Sequence, residues 1–165
     1  MQVMKITWNH ISLALESGQA NMTAQAVTEL KGNDSLVLST AAIIEGLGRN
    51  ELVLADARAP ERFTGEIEPI DTVAGHIPGS VSYPYNLNLN PLGTFKSVDE
   101  SRSDLKTLIG PHEPENLAHM CGPGVTACNT LFAAELAGLT GSRLYVGSWS
   151  EWIQDPSRPV GSTYS

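Results

Sequence analysis

The chain has 165 residues, 41% of them hydrophobic, which is enough for one compact α/β domain with an extension and too few for two full-sized domains. Ten basic residues against eighteen acidic ones give a net charge of −8 without a basic run, which makes nucleic acids and anionic membranes poor partners. No segment approaches the roughly 20 apolar residues of a membrane-spanning helix, and the N-terminus lacks a secretory signal, so a cytoplasmic protein with no membrane contact is expected.

The first 34 residues show only weak apolar periodicity. They include the polar tract from Ser17 to Asn21, which is typical of a linker or an extended arm. We therefore predict an extension over residues 1–34 and one folded domain over residues 35–165.

The predicted domain alternates short strands with helices. Strands are predicted at residues 36–38, 51–56, 80–84, 116–120 and 143–146. Helices are predicted from Ser39 or Thr40 to Leu47 with Gly48 at the end, over residues 98–108, from about 126 to 137 with Gly138 at the end, and in a short segment capped by Ser148. This order predicts an α/β fold, with a parallel sheet that carries helices on both faces.

The chain has two cysteines, too few for a disulfide framework and without metal-ligand spacing, so we expect no metal site. Cys121 follows a predicted strand and begins the loop Cys121-Gly-Pro-Gly-Val-Thr126, which leads into a helix. Ligands of such sheets bind at the carboxyl ends of the strands. Cys121 is therefore the candidate nucleophile.

The loop after Cys121 has the composition of an anion-binding turn. Gly122 and Gly124 allow successive backbone N–H groups to face one point, and the following helix adds the positive end of its dipole. Both features favour the thiolate form of a cysteine. Pro123 has no N–H and so removes one donor, while its fixed φ stiffens the loop. A buried structural thiol is the less favoured interpretation of Cys121.

Other polar residues are interpreted more conservatively. Cys128 is predicted to be a small apolar filler of the helix core. Asp56 and Arg58 are expected to form a structural pair, and His76 to anchor a tight turn. Arg62 follows a strand end expected on the same rim as Cys121, where a guanidinium could hold an anionic substrate.

Six motifs together resemble the catalytic half of the tandem-domain thiosulfate and 3-mercaptopyruvate sulfurtransferases. They are Asp56-Ala-Arg, Arg62-Phe-Thr-Gly, Glu68-Pro, Gly75-His-Ile-Pro-Gly, Cys121-Gly-Pro-Gly-Val-Thr-Ala and Gly147-Ser-Trp-Ser-Glu-Trp. The resemblance runs from about Leu52 to Pro159. It implies the rhodanese fold and a six-residue active loop that starts at Cys121.

The resemblance also implies a chemistry. Cys121 would carry the transferred sulfur as a persulfide, and the substrate would contact Arg62 and the loop residues Gly122, Pro123, Gly124, Val125 and Thr126. The partners would be a small sulfur donor and a thiol or cyanide acceptor, without a cofactor. Residues 1–34 would be the end of a missing N-terminal rhodanese domain plus a linker, and the lone catalytic half would have an open cleft.

Three features leave the exact activity open. Mercaptopyruvate enzymes of the family usually carry Ser where this chain has Pro123, and an additional Arg after Glu-Pro, where this chain has Ile70 and Asp71. The basic loop residues of animal thiosulfate enzymes are absent.

The cysteine phosphatases end their loop in an arginine where this chain has Ala127, so they are excluded. The alternative is a weakly active or non-catalytic module that carries sulfur or binds a protein.

Overall fold

The computed structural model describes residues 2–7, 10–17 and 32–163, with side chains from residue 32 onward. These residues belong to two separate units, Met1–Gly32 and Asn33–Ser165. Strands β1 (Gln2–Thr7) and β2 (His10–Ser17) form an antiparallel hairpin in the first unit, with a register shift between Lys5 and Thr7. The predicted linker falls mainly on residues 18–31, outside the described part. The assignment of residues 1–34 to the end of another domain stays a prediction.

The second unit is built on a five-stranded parallel sheet. Its strands are β3 (Val37–Leu38), β4 (Val53–Asp56), β5 (Val81–Ser82), β6 (Leu117–Met120) and β7 (Arg143–Tyr145), in the spatial order β3-β7-β6-β4-β5. All four pairings are parallel. This confirms the predicted α/β fold. The order places β6, the strand that precedes Cys121, at the centre of the sheet.

Five helices cover the sheet: α1 (Thr40–Gly48), α2 (Pro60–Thr64), α3 (Val98–Ile109), α4 (Ala127–Leu136) and α5 (Ser148–Trp152). Short 3₁₀ turns lie at Asp34–Leu36, Tyr85–Asn88 and Pro114–Asn116. Among the described residues no helix is long and apolar enough to span a membrane.

Side chains alternate between two apolar layers, as expected for a sheet buried on both faces. Leu54 of β4 and Met120 of β6 pack with Ile43 of α1 and Trp149 of α5 on one face. Ala55 and Leu117 face the other layer, which contains residues of α3 and α4. The aromatic side chains of Tyr145, Trp149 and Trp152 are all buried in the first layer.

Local sequence signals explain where helices α1 and α3 begin. The Ser39 side chain accepts a hydrogen bond from the Ala42 N–H at the start of α1. Ser97 and Glu100 form a reciprocal capping box at the start of α3. Helix α1 includes Gly48, contrary to the prediction that Gly48 ends it, because the Arg49 N–H still bonds to the Glu45 carbonyl.

Candidate active site

Cys121 lies directly after the central strand β6 and is 1% exposed. The Ala57 N–H donates to the Met120 carbonyl (2.8 Å), which joins the carboxyl ends of β4 and β6. Cys121 packs with Ala57 and Ala127 in a small apolar cluster. The candidate nucleophile therefore sits at the base of its loop, against the start of α4.

The backbone of Cys121 is held from β7 and α5. Its N–H donates to the Ser148 Oγ (3.1 Å), which in turn donates to the Tyr145 carbonyl (2.8 Å), and its carbonyl accepts from the Trp149 N–H (3.1 Å). Ser148 was predicted to cap α5, but Gly147 is the cap and Ser148 is the first helical residue, with a φ of 52°. The Ser148 hydroxyl instead accepts a hydrogen bond from the Cys121 N–H, a role that the sequence did not indicate.

The loop from Gly122 to Thr126 turns sharply over this anchor. Gly124 has a φ of 83°, and a Cβ at this position would lie 2.4 Å from the Val146 carbonyl oxygen, so only glycine fits. The Gly122 carbonyl accepts from the N–H and the hydroxyl of Ser150 (both 3.0 Å). Pro123 and Val125 are exposed.

The N–H groups that remain for an anion follow from this bonding. Cys121 donates to Ser148, and Pro123 has no N–H. Gly122, Gly124, Val125 and Thr126 keep N–H groups that pair with no acceptor among the described residues. The loop thus offers four backbone donors next to Cys121.

Arg62 lies beside the loop, on the short helix α2 that the sequence analysis missed. A Cβ on Gly122 would be 3.5 Å from Nη2 of Arg62 and 3.6 Å from its Nη1. The Arg62 Nε donates to both carboxylate oxygens of Glu68 (3.0 and 3.1 Å), and Nη2 donates to Asp71 (3.0 Å). The structure brings Arg62 and the loop together as predicted from the sequence. The carboxylate that Arg62 contacts through both oxygens, however, is that of Glu68.

Glu68 and Asp71 surround this guanidinium. Burial acts to raise the pKa of Glu68, but hydrogen bonds from Arg62 and from the backbone N–H groups of Asp71 and Ile70 outweigh burial and lower it. Asp71 also accepts from the Ser150 hydroxyl (2.9 Å), which links Arg62 to the Gly122 carbonyl. The sequence did not indicate the contact between Asp71 and Ser150, because the two residues are 79 positions apart.

Asp56 and Arg58 form the structural pair that was expected. The Arg58 Nε and Nη2 donate to Asp56, Nη2 also donates to the Gly75 carbonyl (2.8 Å), and the guanidinium lies 4.7 Å from the centre of the Trp149 ring. Both side chains are buried. His76 has an anchoring geometry as well: Nδ1 is 2.8 Å from the Phe63 carbonyl oxygen, and the ring stacks on Phe63.

The prediction that Cys128 is a buried filler is wrong, because Cys128 is exposed. Ala127, Thr130 and Ala134 form the buried face of α4, and Cys128 lies one residue past Ala127, about 100° around the helix. Its Sγ is 3.6 Å from the Gly124 carbonyl oxygen. The helical phase of the neighbours decides its exposure, whereas the prediction relied on the residue type.

Comparison with known proteins identifies the family of this chain. The model of the rhodanese-like domain matches residues 39–155. The chain belongs to the rhodanese-like domain family. Among the described residues, no group of three or more His, Cys, Asp or Glu side chains is arranged to hold a metal ion.

Relatives of this rhodanese-like chain include proteins described as sulfurtransferases. A Pseudomonas aeruginosa protein described as a probable 3-mercaptopyruvate sulfurtransferase is 42% identical over 94% of this chain and 54% of its own length. The thiosulfate sulfurtransferase of Rattus norvegicus is 36% identical over 78% of this chain and 44% of its own length. The chain thus spans about half the length of these relatives.

A solved structure has a similar fold. The Tum1 protein from Saccharomyces cerevisiae matches with a TM-score of 0.66 and 28% identity, over 80% of this chain and 48% of that one. The sheet and helices described above are therefore those of a rhodanese-like domain.

Proposed function

We propose that this chain is a sulfurtransferase that moves one sulfur atom from thiosulfate or 3-mercaptopyruvate to a thiol or cyanide, with Cys121 as the carrier. The observation that supports this most is the position of Cys121 at the carboxyl end of the central strand, beside four loop N–H groups that pair with no acceptor in the described part of the chain. Sulfurtransferase relatives with both donor names support the same reaction class.

In the first half-reaction, the Cys121 thiolate attacks the sulfur that is to be transferred. With thiosulfate, the new S–S bond forms as the bond between the two thiosulfate sulfurs breaks, and sulfite leaves with the electron pair. With 3-mercaptopyruvate, the C–S bond breaks and the leaving pyruvate carbanion takes up a proton. Either donor leaves a Cys121 persulfide.

In the second half-reaction, an acceptor thiolate or cyanide attacks the outer sulfur of the persulfide. The bond between the two sulfurs breaks, and the Cys121 thiolate is released for another cycle. No electrons enter or leave the protein, so the cycle needs no redox cofactor.

The surroundings of Cys121 support this chemistry by position and charge. In this proposal the N–H groups of Gly122, Gly124, Val125 and Thr126 stabilise the thiolate and the persulfide anion. Nη1 of Arg62, which has no hydrogen-bond partner among the described residues, is the group proposed to hold the anionic end of the donor. The donor would then have one contact from this arginine, because Glu68 and Asp71 hold its other nitrogens.

Substitution of Cys121 by Ser tests the proposal. We expect the variant to fold and to lose all sulfur transfer from both donors, because a hydroxyl fits the same space but is a far weaker nucleophile. Incubation of the wild-type protein with either donor should add the mass of one sulfur atom, and the variant should gain none.

Two outcomes would change the conclusion. Unchanged turnover in Cys121→Ser would overturn Cys121 as the carrier. A wild-type protein that gains the sulfur on Cys121 but never passes it to cyanide or to a small thiol would instead be a sulfur-carrier module.

A further inference from the structure

The candidate donor site has an unusual electrostatic feature, which is that its arginine is neutralised. The Arg62 guanidinium contacts two carboxylates, Glu68 and Asp71, at 2.7 to 3.1 Å through Nε and Nη2. All three side chains are largely buried, with 13%, 4% and 10% exposure. One positive charge therefore faces two negative charges, and the trio is net negative next to the loop.

The groove beside the loop adds to this negative charge. A groove of about 710 Å³ starts at Pro123 and Ser150 and contains Glu151, Asp155 and Arg158. The Arg158 guanidinium lies 3.6 Å from the Asp155 carboxylate and donates to the Glu151 and Trp152 carbonyls. The loop residues 122–126 carry no cation. An anionic donor thus meets more carboxylates than guanidinium groups.

Asp71 is the carboxylate nearest to the place where a donor would bind. Its Oδ2 is 3.6 Å from a Cβ placed on Gly122, as close as Nη1 of Arg62. Its Oδ1 accepts from Ser150, whose hydroxyl also contacts the Gly122 carbonyl. Glu68 is shielded from the same point because it faces Arg58 and Arg62 and is 4% exposed.

We propose that Asp71 is a specificity-determining residue that disfavours doubly charged donors such as thiosulfate relative to donors with one negative charge such as 3-mercaptopyruvate. This inference rests on the proposed function. Coulomb repulsion is proportional to the charge of the donor, so a dianion pays twice the free energy that a monoanion pays against the same carboxylate. Asp71 also occupies the Nη2 edge of Arg62 and leaves the donor only Nη1.

Because the repulsion by Asp71 doubles from a monoanionic to a dianionic donor, the changes in kcat/KM expected for Asp71→Asn can be compared quantitatively between the two donors. If loss of the charge raises kcat/KM for 3-mercaptopyruvate about threefold, it raises that for thiosulfate about tenfold, because the second factor is the square of the first. Asparagine keeps an oxygen that can accept from Ser150, so the loop anchor is preserved. Asp71→Ser is the second variant, for the case that asparagine disturbs the fold.

The matched control is Glu66→Gln, which makes the same change in net charge at an exposed residue of the same segment. Both donors should be measured with the wild-type protein and each variant at low salt and at about 1 M salt, where the Debye length is about 3 Å. We expect the preference for 3-mercaptopyruvate to fall in Asp71→Asn and Asp71→Ser at low salt, to stay in Glu66→Gln, and to differ less between the proteins at high salt.

A binding measurement separates this inference from the proposed function. Sulfate and pyruvate, as non-reacting dianion and monoanion, should protect Cys121 from iodoacetamide, and in Asp71→Asn the sulfate concentration needed should fall more than the pyruvate concentration. Equal changes for both anions, or for both donors, would overturn the role of Asp71. Absence of turnover with a selective change in protection would overturn the sulfurtransferase proposal, and the effect of Asp71 would then be limited to the binding of anions.

Discussion

The two sides of the candidate site differ in how they are held. The floor, which we define as Asp56, Arg58, Cys121, Ser148 and Trp149, is buried and joined by hydrogen bonds between strand ends. The rim, which we define as Arg62, Asp71, Pro123, Val125 and Cys128, is partly or fully exposed.

This difference separates stability from specificity. Polar groups of the floor have their partners inside the protein, so removal of one partner leaves another buried and unpaired. The exposed members of the rim, Pro123, Val125 and Cys128, already contact solvent, so their loss changes what binds more than it changes folding. Cys121 belongs to the floor through its backbone, and its sulfur is the atom proposed to carry the transferred sulfur.

The sharpest test of the floor is Arg58→Ala. It leaves the buried Asp56 carboxylate without its ion pair, and we expect the free energy of unfolding to fall by about 3 to 5 kcal/mol. Urea unfolding measures this loss. Arg49→Ala is the control, since the Arg49–Glu45 pair is more than 60% exposed on both sides and should contribute less than about 1 kcal/mol. Similar losses in both variants would mean that the floor is not held by this pair.

The matching test of the rim is Arg62→Ala. A charge-assisted contact from Nη1 to the donor predicts a drop in kcat/KM of about tenfold to a hundredfold with either donor. Arg62→Lys should recover only part, because one ammonium cannot serve Glu68, Asp71 and a donor together.

Iodoacetamide labelling of Cys121 should stay near the wild-type rate in Arg62→Ala, because the loop N–H groups and the end of α4 are proposed to hold the thiolate. Unchanged donor kinetics would contradict the role of Arg62. So would labelling that is lost together with turnover.

The floor was more accessible to sequence reasoning than the rim. Strand β6 is a short apolar run followed by glycines, and this local pattern was enough to place Cys121 at a strand end. The pairing of Asp56 with Arg58 is also local, since the two residues are two positions apart. Helix starts with a serine cap, such as Ser39, were visible for the same reason.

What the sequence could not predict depends on distant contacts or on short elements. The contact of Arg62 with Asp71 and the hydrogen bond from the Cys121 N–H to the Ser148 hydroxyl join residues that no local pattern relates. Helix α2 has five residues, too few to show periodicity. Strand β2 differs from these cases, because its sequence does carry a local signal. Ile11, Leu13 and Leu15 alternate with Ser12, Ala14 and Glu16, a period of two that is typical of a strand.

A buried histidine in β6, the strand that leads to Cys121, should make the free energy of unfolding depend on pH. His119 of β6 is fully buried, neither ring nitrogen has a partner among the described residues, and burial lowers its pKa to about 3. In the unfolded chain a histidine titrates near 6.5, so below that pH the unfolded state binds a proton that the folded state refuses. The free energy of unfolding is therefore not reduced by His119 well above pH 6.5, and it falls as the pH drops from 6.5 toward 3.

The expected slope is about 1.4 kcal/mol per pH unit, or about 2 kcal/mol between pH 6.5 and 5. His119→Leu should remove this contribution, so its unfolding free energy should fall by about 2 kcal/mol less than that of the wild-type protein over this range. Urea unfolding at both pH values measures the difference. Parallel pH profiles for the two proteins would show that His119 is not the group responsible.

The smallest effect is expected on the rim, at Cys128. Its exposure means that Cys128→Ala removes one sulfur atom that already contacts solvent, with only a weak contact to the Gly124 carbonyl. The free energy of unfolding should change by less than about 0.5 kcal/mol, and turnover should stay within about twofold of the wild-type value. Cys128→Ser, which keeps a polar hydrogen near Gly124, is the control for that contact. A loss of turnover comparable to that of Cys121→Ser, with stability unchanged, would show that sulfur passes through Cys128 on its way to the acceptor. The rim would then contribute a second carrier, and the assignment of sulfur chemistry to Cys121 alone would be wrong.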